Sequence, residues 1–236
     1  MGRSSLIRKG KIMHVHFKDP GEILQQLMER YPALIPQRES IEAAYCILRD
    51  SFEEGGKLLI CGNGGSAADA LHIASELMKA FILPRKTDSL FEAALLNQFP
   101  DDANYLLEKL EGALPVIPLV ENASVSTAIM NDTAADMVFA QQVYALGKEN
   151  DVFLGISTSG NSQNIVYAAE VASARGMRVV TLTGKAPNRL ENLSDCQIAV
   201  NDEETFRVQE LHLPIYHTLC LMLENWFFAD RNQMER

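Results

Sequence analysis

His72 and Glu76 stand four residues apart in "GNGGSAADALHIASEL", directly after a glycine-rich turn. Four residues make about one helical turn, so both side chains leave the same face. Such a pair offers one imidazole nitrogen and one carboxylate oxygen to a divalent ion. Gln209 and His217 lie eight residues apart near the C-terminus. On a straight helix that is about 12 Å, so a shared ion would need leaning side chains, an irregular helix or a second subunit. Taken alone, His217 reads first as an ordinary helix histidine.

A different chemistry is written in "LGISTSGNSQNI", residues 154–165. An apolar run gives way to Ser157, Thr158, Ser159 and Ser162, with Gly160 and Asn161 between them. Hydroxyls, backbone N–H groups and a helix N-terminus starting near Asn161 would converge on one point. That suits a phosphate dianion held without a nearby Arg or Lys. The plainer reading is an N-cap and a polar turn, which explains one or two of the hydroxyls. Gly62-Asn63-Gly64-Gly65-Ser66 forms a second such loop, whose glycines let backbone amides approach a ligand closely. The spacing is neither a P-loop, which needs Gly-Lys-Ser/Thr, nor GxGxxG.

These loops need strands before them and helices after them. Helical periodicity covers 20–34 and 38–54, and Gly55-Gly56 stop the second helix. A buried strand is predicted at 57–61 and a helix at 66–82. Two short helices are expected in an insertion at 83–114, then a strand at 115–120 and a helical region. The order is then strand 151–156, helix 161–175, strand 178–182, a short helix, strand 196–200 and a last helix at 204–228. Continuous apolar strands alternating with helices predict an α/β three-layer sandwich: a parallel, mostly five-stranded sheet covered on both faces, with extra N-terminal helices. Ligands in open sheets of this kind bind beyond the carboxyl ends of the strands, where both loops fall. Residues 1–19 are expected to be a disordered arm and 20–236 a single domain.

Composition narrows the function classes. The chain has 236 residues, 47% hydrophobic and 22% charged, with a formal net charge of −10. That is an ordinary globular profile without a basic cluster, which argues against a nucleic-acid surface. Its longest apolar runs are too short to span a membrane, and the basic N-terminus lacks a signal-peptide core, so a cytoplasmic protein is expected. Cys46, Cys61, Cys196 and Cys220 lack metal-site spacing and read as reduced thiols. His14 and His16 read as solvated residues of the arm, and His212 as an exposed neighbour of Gln209. Leu219, Leu221, Met222, Leu223, Trp226 and Phe227 leave the last helix few polar positions, which suggests a subunit interface.

The stretches "CGNGGSAADALHIASEL", "GISTSGNSQNI", "VVTLTG" and "RVQELHLPIYH" resemble the SIS (sugar isomerase) domain family, of the phosphoheptose isomerase type. The resemblance runs over roughly 38–82 and 115–228. It implies an aldose–ketose isomerase that converts sedoheptulose 7-phosphate to D-glycero-D-manno-heptose 7-phosphate through an enediol. It further implies a homotetramer and one zinc ion per subunit, bound by His72, Glu76, Gln209 and His217. Glu76 would be the base and His217 the partner acid/base. Asn63, Gly64, Gly65 and Ser66 would contact the sugar, with Asn131, Asp132 and Gln209. Ser157, Thr158, Ser159 and Ser162 would hold the phosphate. From the bare sequence, Asn131-Asp132 is also a plausible helix-ending turn. Three features depart from the pattern: Phe206 where an Asp is common, Ala67-Ala68 after the glycine loop, and the insertion. A non-catalytic SIS protein that binds the replication initiator and a phosphosugar-sensing regulator are the alternatives. Retention of His72, Glu76 and His217 argues for chemistry.

Overall fold

The computed structural model describes residues 18–229. The predicted arm therefore lies, apart from Lys18 and Asp19, outside the described residues, as do His14 and His16. Helix α1 (Pro20–Arg30) starts at a helix-compatible Pro, and the Asp19 carboxylate accepts the Gly21 N–H at 2.7 Å. A 3-10 segment (Pro32–Gln37) leads into α2 (Arg38–Glu53). Strand β1 (Leu58–Gly62) follows, then α3 (Gly65–Met78), α4 (Ser89–Gln98), α5 (Pro100–Lys109) and β2 (Val116–Pro118). The remainder is α6 (Ala123–Asp132), α7 (Val138–Leu146), β3 (Val152–Ser157), α8 (Gln163–Ala174), β4 (Arg178–Thr183), β5 (Cys196–Ala199) and α9 (Thr205–Phe228).

The five strands form one parallel sheet in the order β2-β1-β3-β4-β5. Alternate residues of a strand face opposite sides, and the two cores follow that rule. Leu58, Ile60, Leu154, Val180 and Leu182 pack with α1, α2, α3 and α9. Leu59, Cys61, Phe153 and Val179 pack with α7 and α8 on the other side. The three-layer α/β expectation holds.

The order also fixes where a ligand can sit. The chain turns outward from β1 to β2 and then returns to β3 on the other side of β1. The carboxyl ends of β1 and β3 are therefore the topological switch point. They are direct neighbours, with Gly62 paired in register to Ile156. The glycine loop and the serine loop emerge side by side there.

One expectation changes. Helix α3 ends at Met78 rather than 82, and Lys79 is extended. The Arg85 guanidinium takes the Leu77 and Glu76 carbonyls at 2.7 and 2.8 Å, closing the helix. Those are carbonyls of the last turn, which lack an intrahelical partner. Of the apolar residues named in α9, Leu219, Met222 and Leu223 belong to the main core, and Leu221 and Phe227 are partly buried against it. Exposed apolar side chains lie at Phe206 and Leu213 of α9 itself, and at Met78, Ile82, Leu90 and Phe99 along and beside the insertion. The two insertion helices form as expected, and α4 buries none of its residues fully. Among the described residues no helix is long and apolar enough to cross a membrane.

Candidate active site

One cavity of about 260 Å³ is lined by Asn63, Gly64, Gly65, Ser66, Ser157, Thr158 and Ser162, together with Ile156, Thr205 and Gln209. Both predicted loops and the start of α9 thus enclose one volume. Gly64 has φ 55° and ψ −119°, a backbone that an L side chain rarely adopts. A Cβ on Gly65 would lie 2.5 Å from Gln209 Nε2, so the glycine is what admits that amide. The Asn63 and Asn164 amides exchange two hydrogen bonds of 2.9 Å and tie the loops together.

Helix N-termini normally find a side-chain acceptor for their free N–H groups. Neither α3 nor α8 has one. Ser162 is at the N-cap of α8, but its hydroxyl faces Ser157 Oγ at 3.1 Å instead of capping. Uncapped amides and inward hydroxyls leave a site for an anion with oxygens to spare. Ser159 differs from its neighbours: it is exposed, and its Oγ accepts the Asn161 N–H at 3.2 Å. Asn131 and Asp132 are exposed at the end of α6, bonded to each other at 2.7 Å, and do not line this cavity. Phe206 is 56% exposed, with the Arg207 guanidinium 5.6 Å from its ring centre.

Further along α3, His72 is a hub. Its Nε2 lies 3.2 Å from Glu76 Oε1 and 3.5 Å from His217 Nε2. Its Nδ1 lies 3.0 Å from the Tyr216 hydroxyl, which donates to Asp69 Oδ1 at 3.2 Å. Burial pushes the His217 imidazole below its ordinary range, and His72 adds to that while Glu76 opposes it. A neutral His217 results at neutral pH. Burial also raises the Tyr216 phenol, so it keeps its proton and remains a donor. Asp69 is raised by burial against the pull of Tyr216 and His72.

The structure therefore brings His72, Glu76 and His217 together and leaves Gln209 with the loops. His217 lines a separate cavity with Gln26, Arg30 and Phe81. Pro214 interrupts α9 between Gln209 and His217, since it has no N–H for the Glu210 carbonyl. Among the described residues no group of three or more His, Cys, Asp or Glu is arranged to hold a metal ion. His212, read as exposed, is completely buried. Its Nε2 donates to the Thr183 carbonyl at 3.1 Å, because α9 lays that face on the end of β4. Asp69, Tyr216, Asn164 and Thr205 were not singled out from the sequence. Only the first-turn position of Asn164 beside the serine loop could have marked one of them.

A SIS-domain family model matches residues 22–97 and 102–184. The chain is a member of the SIS-domain family, of the phosphoheptose isomerase type. Its relatives include the phosphoheptose isomerase of Helicobacter pylori strain Shi470, 37% identical over 216 residues, which are 90% of this chain and 98% of that one. The phosphoheptose isomerase of Thiobacillus denitrificans is 40% identical over 199 residues, 83% of this chain and 86% of that one. Among solved structures, the phosphoheptose isomerase from Neisseria gonorrhoeae matches with TM-score 0.65 at 31% identity, covering 86% of this chain and 94% of that one. The enzyme from Francisella tularensis matches with TM-score 0.64 at 32% identity, over 86% and 93% of the two chains.

Proposed function

We propose that this SIS protein is a phosphosugar isomerase that interconverts sedoheptulose 7-phosphate and D-glycero-D-manno-heptose 7-phosphate through an enediol. One observation carries the reading. The helix that starts at the anion cavity bears His72 seven residues beyond Gly65, about 10 Å along its axis. A sugar phosphate held by its tail at the two loops runs along α3 toward an imidazole and a carboxylate. The relatives, matched over most of their length, carry this activity in their names.

The phosphate takes the free N–H groups at the start of α8 and the hydroxyls of Ser157, Thr158 and Ser162, with Ser159 shaping the turn. Asn63, Gly64, Gly65, Ser66 and Gln209 meet the sugar hydroxyls. Asn131 and Asp132 are assigned to the substrate by resemblance alone. Glu76 removes the proton from C1 of the ketose and returns it to C2. A carboxylate has two oxygens, so the one facing His72 need not be the one that takes the proton. Neutral His217 can accept a hydroxyl proton from one oxygen of the enediol and return it to the other.

The donor types suit zinc. Bonds of about 2.0–2.1 Å put neighbouring tetrahedral ligands roughly 3.3 Å apart. The His72–Glu76 and His72–His217 separations, 3.2 and 3.5 Å, are close to that edge. His72, Glu76 and His217 are not arranged as a ready-made ligand set and would have to draw together to hold the ion; three protein ligands leave the open position of a catalytic site. Gln209 is assigned to the sugar because its amide packs on Gly65. The chemistry a zinc ion supplies here is polarisation of the carbonyl and hydroxyl oxygens.

A homotetramer in the cytoplasm completes the proposal. The exposed apolar residues beside the insertion and four unpaired cysteines support it. Sedimentation of the purified chain as a monomer would remove the assembly from the reading. For the activity, Glu76→Gln is expected to abolish turnover of sedoheptulose 7-phosphate while sugar-phosphate binding survives. A zinc-loaded parent that binds this sugar without converting it would instead be a binding protein.

A further inference from the structure

Tyr216 and Asp69 stand behind His72, on the side away from Glu76, and no step of the isomerisation has used them. Tyr216 is 1% exposed. Its oxygen is 3.0 Å from His72 Nδ1 and 3.2 Å from Asp69 Oδ1. Asp69 and His72 are three residues apart on α3 and share a face.

Counting protons decides the arrangement. A phenol has one proton to donate and lone pairs with which to accept. An ionised carboxylate can only accept, so the Tyr216 proton goes to Asp69. Asp69 Oδ2 is buried without a hydrogen-bond partner, which leaves Oδ1 and the phenol as its anchor. With its proton committed, the phenol oxygen can only accept from His72. That ring must carry its hydrogen on Nδ1. In the neutral ring Nε2 is then a bare lone pair, and Nε2 is the atom that faces Glu76 and His217.

We propose that Tyr216 and Asp69 are positioning residues that hold His72 in its Nδ1–H tautomer and so present the Nε2 lone pair to the active site. For the neutral ring the tautomer follows from the Tyr216 and Asp69 hydrogen bonds; its use toward a zinc ion rests on the functional reading above. A ligating histidine is oriented by the partner of its other nitrogen, and losing that partner typically lowers metal affinity about 10–100-fold. Without the phenol, the Nδ1 hydrogen loses its acceptor. The favoured alternative is an Nε2–H that donates to Glu76, which blocks the lone pair.

The test uses the full chain, metal-free, with ¹⁵N-labelled histidine at neutral pH. Long-range proton–nitrogen correlations report which ring nitrogen carries hydrogen, and His72→Gln assigns the signal. The parent is expected to show Nδ1–H. Tyr216→Phe keeps the ring and its packing, and is expected to move His72 to Nε2–H. Asp69→Ala frees the phenol proton to donate to Nδ1 and is expected to do the same with Tyr216 intact. Titration of each chain with zinc should show roughly 10–100-fold weaker binding in the variants. In turnover, kcat should fall while KM for the sugar phosphate holds. A parent His72 protonated on Nε2 overturns the proposal, as do variants that keep the parent tautomer. If the tautomer responds as expected but the parent binds no zinc, the positioning stands and the metal reading fails.

Discussion

Arg85 opens the insertion, yet its side chain is fully buried against Glu224, with Nε 2.9 Å from Glu224 Oε1. Its two terminal nitrogens hold the carbonyls of Leu77 and Glu76. Glu224 in turn accepts the N–H groups of Phe81 and Ile82 at 2.7 and 2.9 Å. The guanidinium also lies 4.7 Å from the Phe228 ring centre. Arg85→Leu removes one charge and leaves the other buried, which costs about 3–5 kcal/mol. For a chain of this size each kcal/mol moves the melting temperature about 2–4 °C, so a fall of roughly 6–20 °C is expected. Function should suffer beyond stability, because the Glu76 carbonyl is one of the groups released. A shift of about 1 Å at a reacting group can cost on the order of a hundredfold in rate. The assay is urea unfolding followed by circular dichroism, with kcat measured well below the variant's melting point. Glu224→Leu and the double variant complete the cycle. The double should cost less than the sum of the singles by about 0.5–3 kcal/mol, since each single strands the other's charge. A loss under about 1 kcal/mol for Arg85→Leu, or strict additivity in the double, would refute the reasoning.

Ser162→Ala should raise KM for the sugar phosphate about tenfold or more with little change in kcat, since a hydrogen bond to a charged acceptor contributes about 1.5–3 kcal/mol. Ser159→Ala should change KM less, because the Ser159 hydroxyl serves the Asn161 amide; equal effects in steady-state kinetics would remove that distinction. His212 supplies a pH dependence: burial lowers it from 6.5 to about 4, with the Thr183 carbonyl opposing. Its Nδ1 is buried and unpartnered, so the folded state resists the proton that the unfolded chain accepts. Stability from this group is complete above pH 6.5 and falls as pH drops toward 4, by about 3 kcal/mol in all. Chemical unfolding between those values should show the loss, and His212→Gln, whose amide can still donate to Thr183, should flatten it.

The layers, the strand order's consequence and the two loops were legible because each rests on local patterning. Apolar runs ending in glycine or serine clusters mark strands that deliver backbone to a ligand, and four-residue spacing puts His72 beside Glu76. What escaped depends on contacts between distant segments. Nothing near His212 announces that the end of β4 will cover it, and nothing near Leu77 announces that Arg85 will fold back to end the helix. Tyr216 was not singled out because only the packing of α3 against α9 places Asp69 and His72 beside it. The same logic explains the division of labour along α9. The resemblance pairs Gln209 with His217; in the structure Gln209 lies by Gly65 at the start of α3, and His217 lies by His72, seven residues further along it. That separation suits a substrate with its charge at one end and its reacting carbons at the other. In the proposed reading α9 serves both regions, with Gln209 at the sugar hydroxyls and His217 at the oxygens of the enediol.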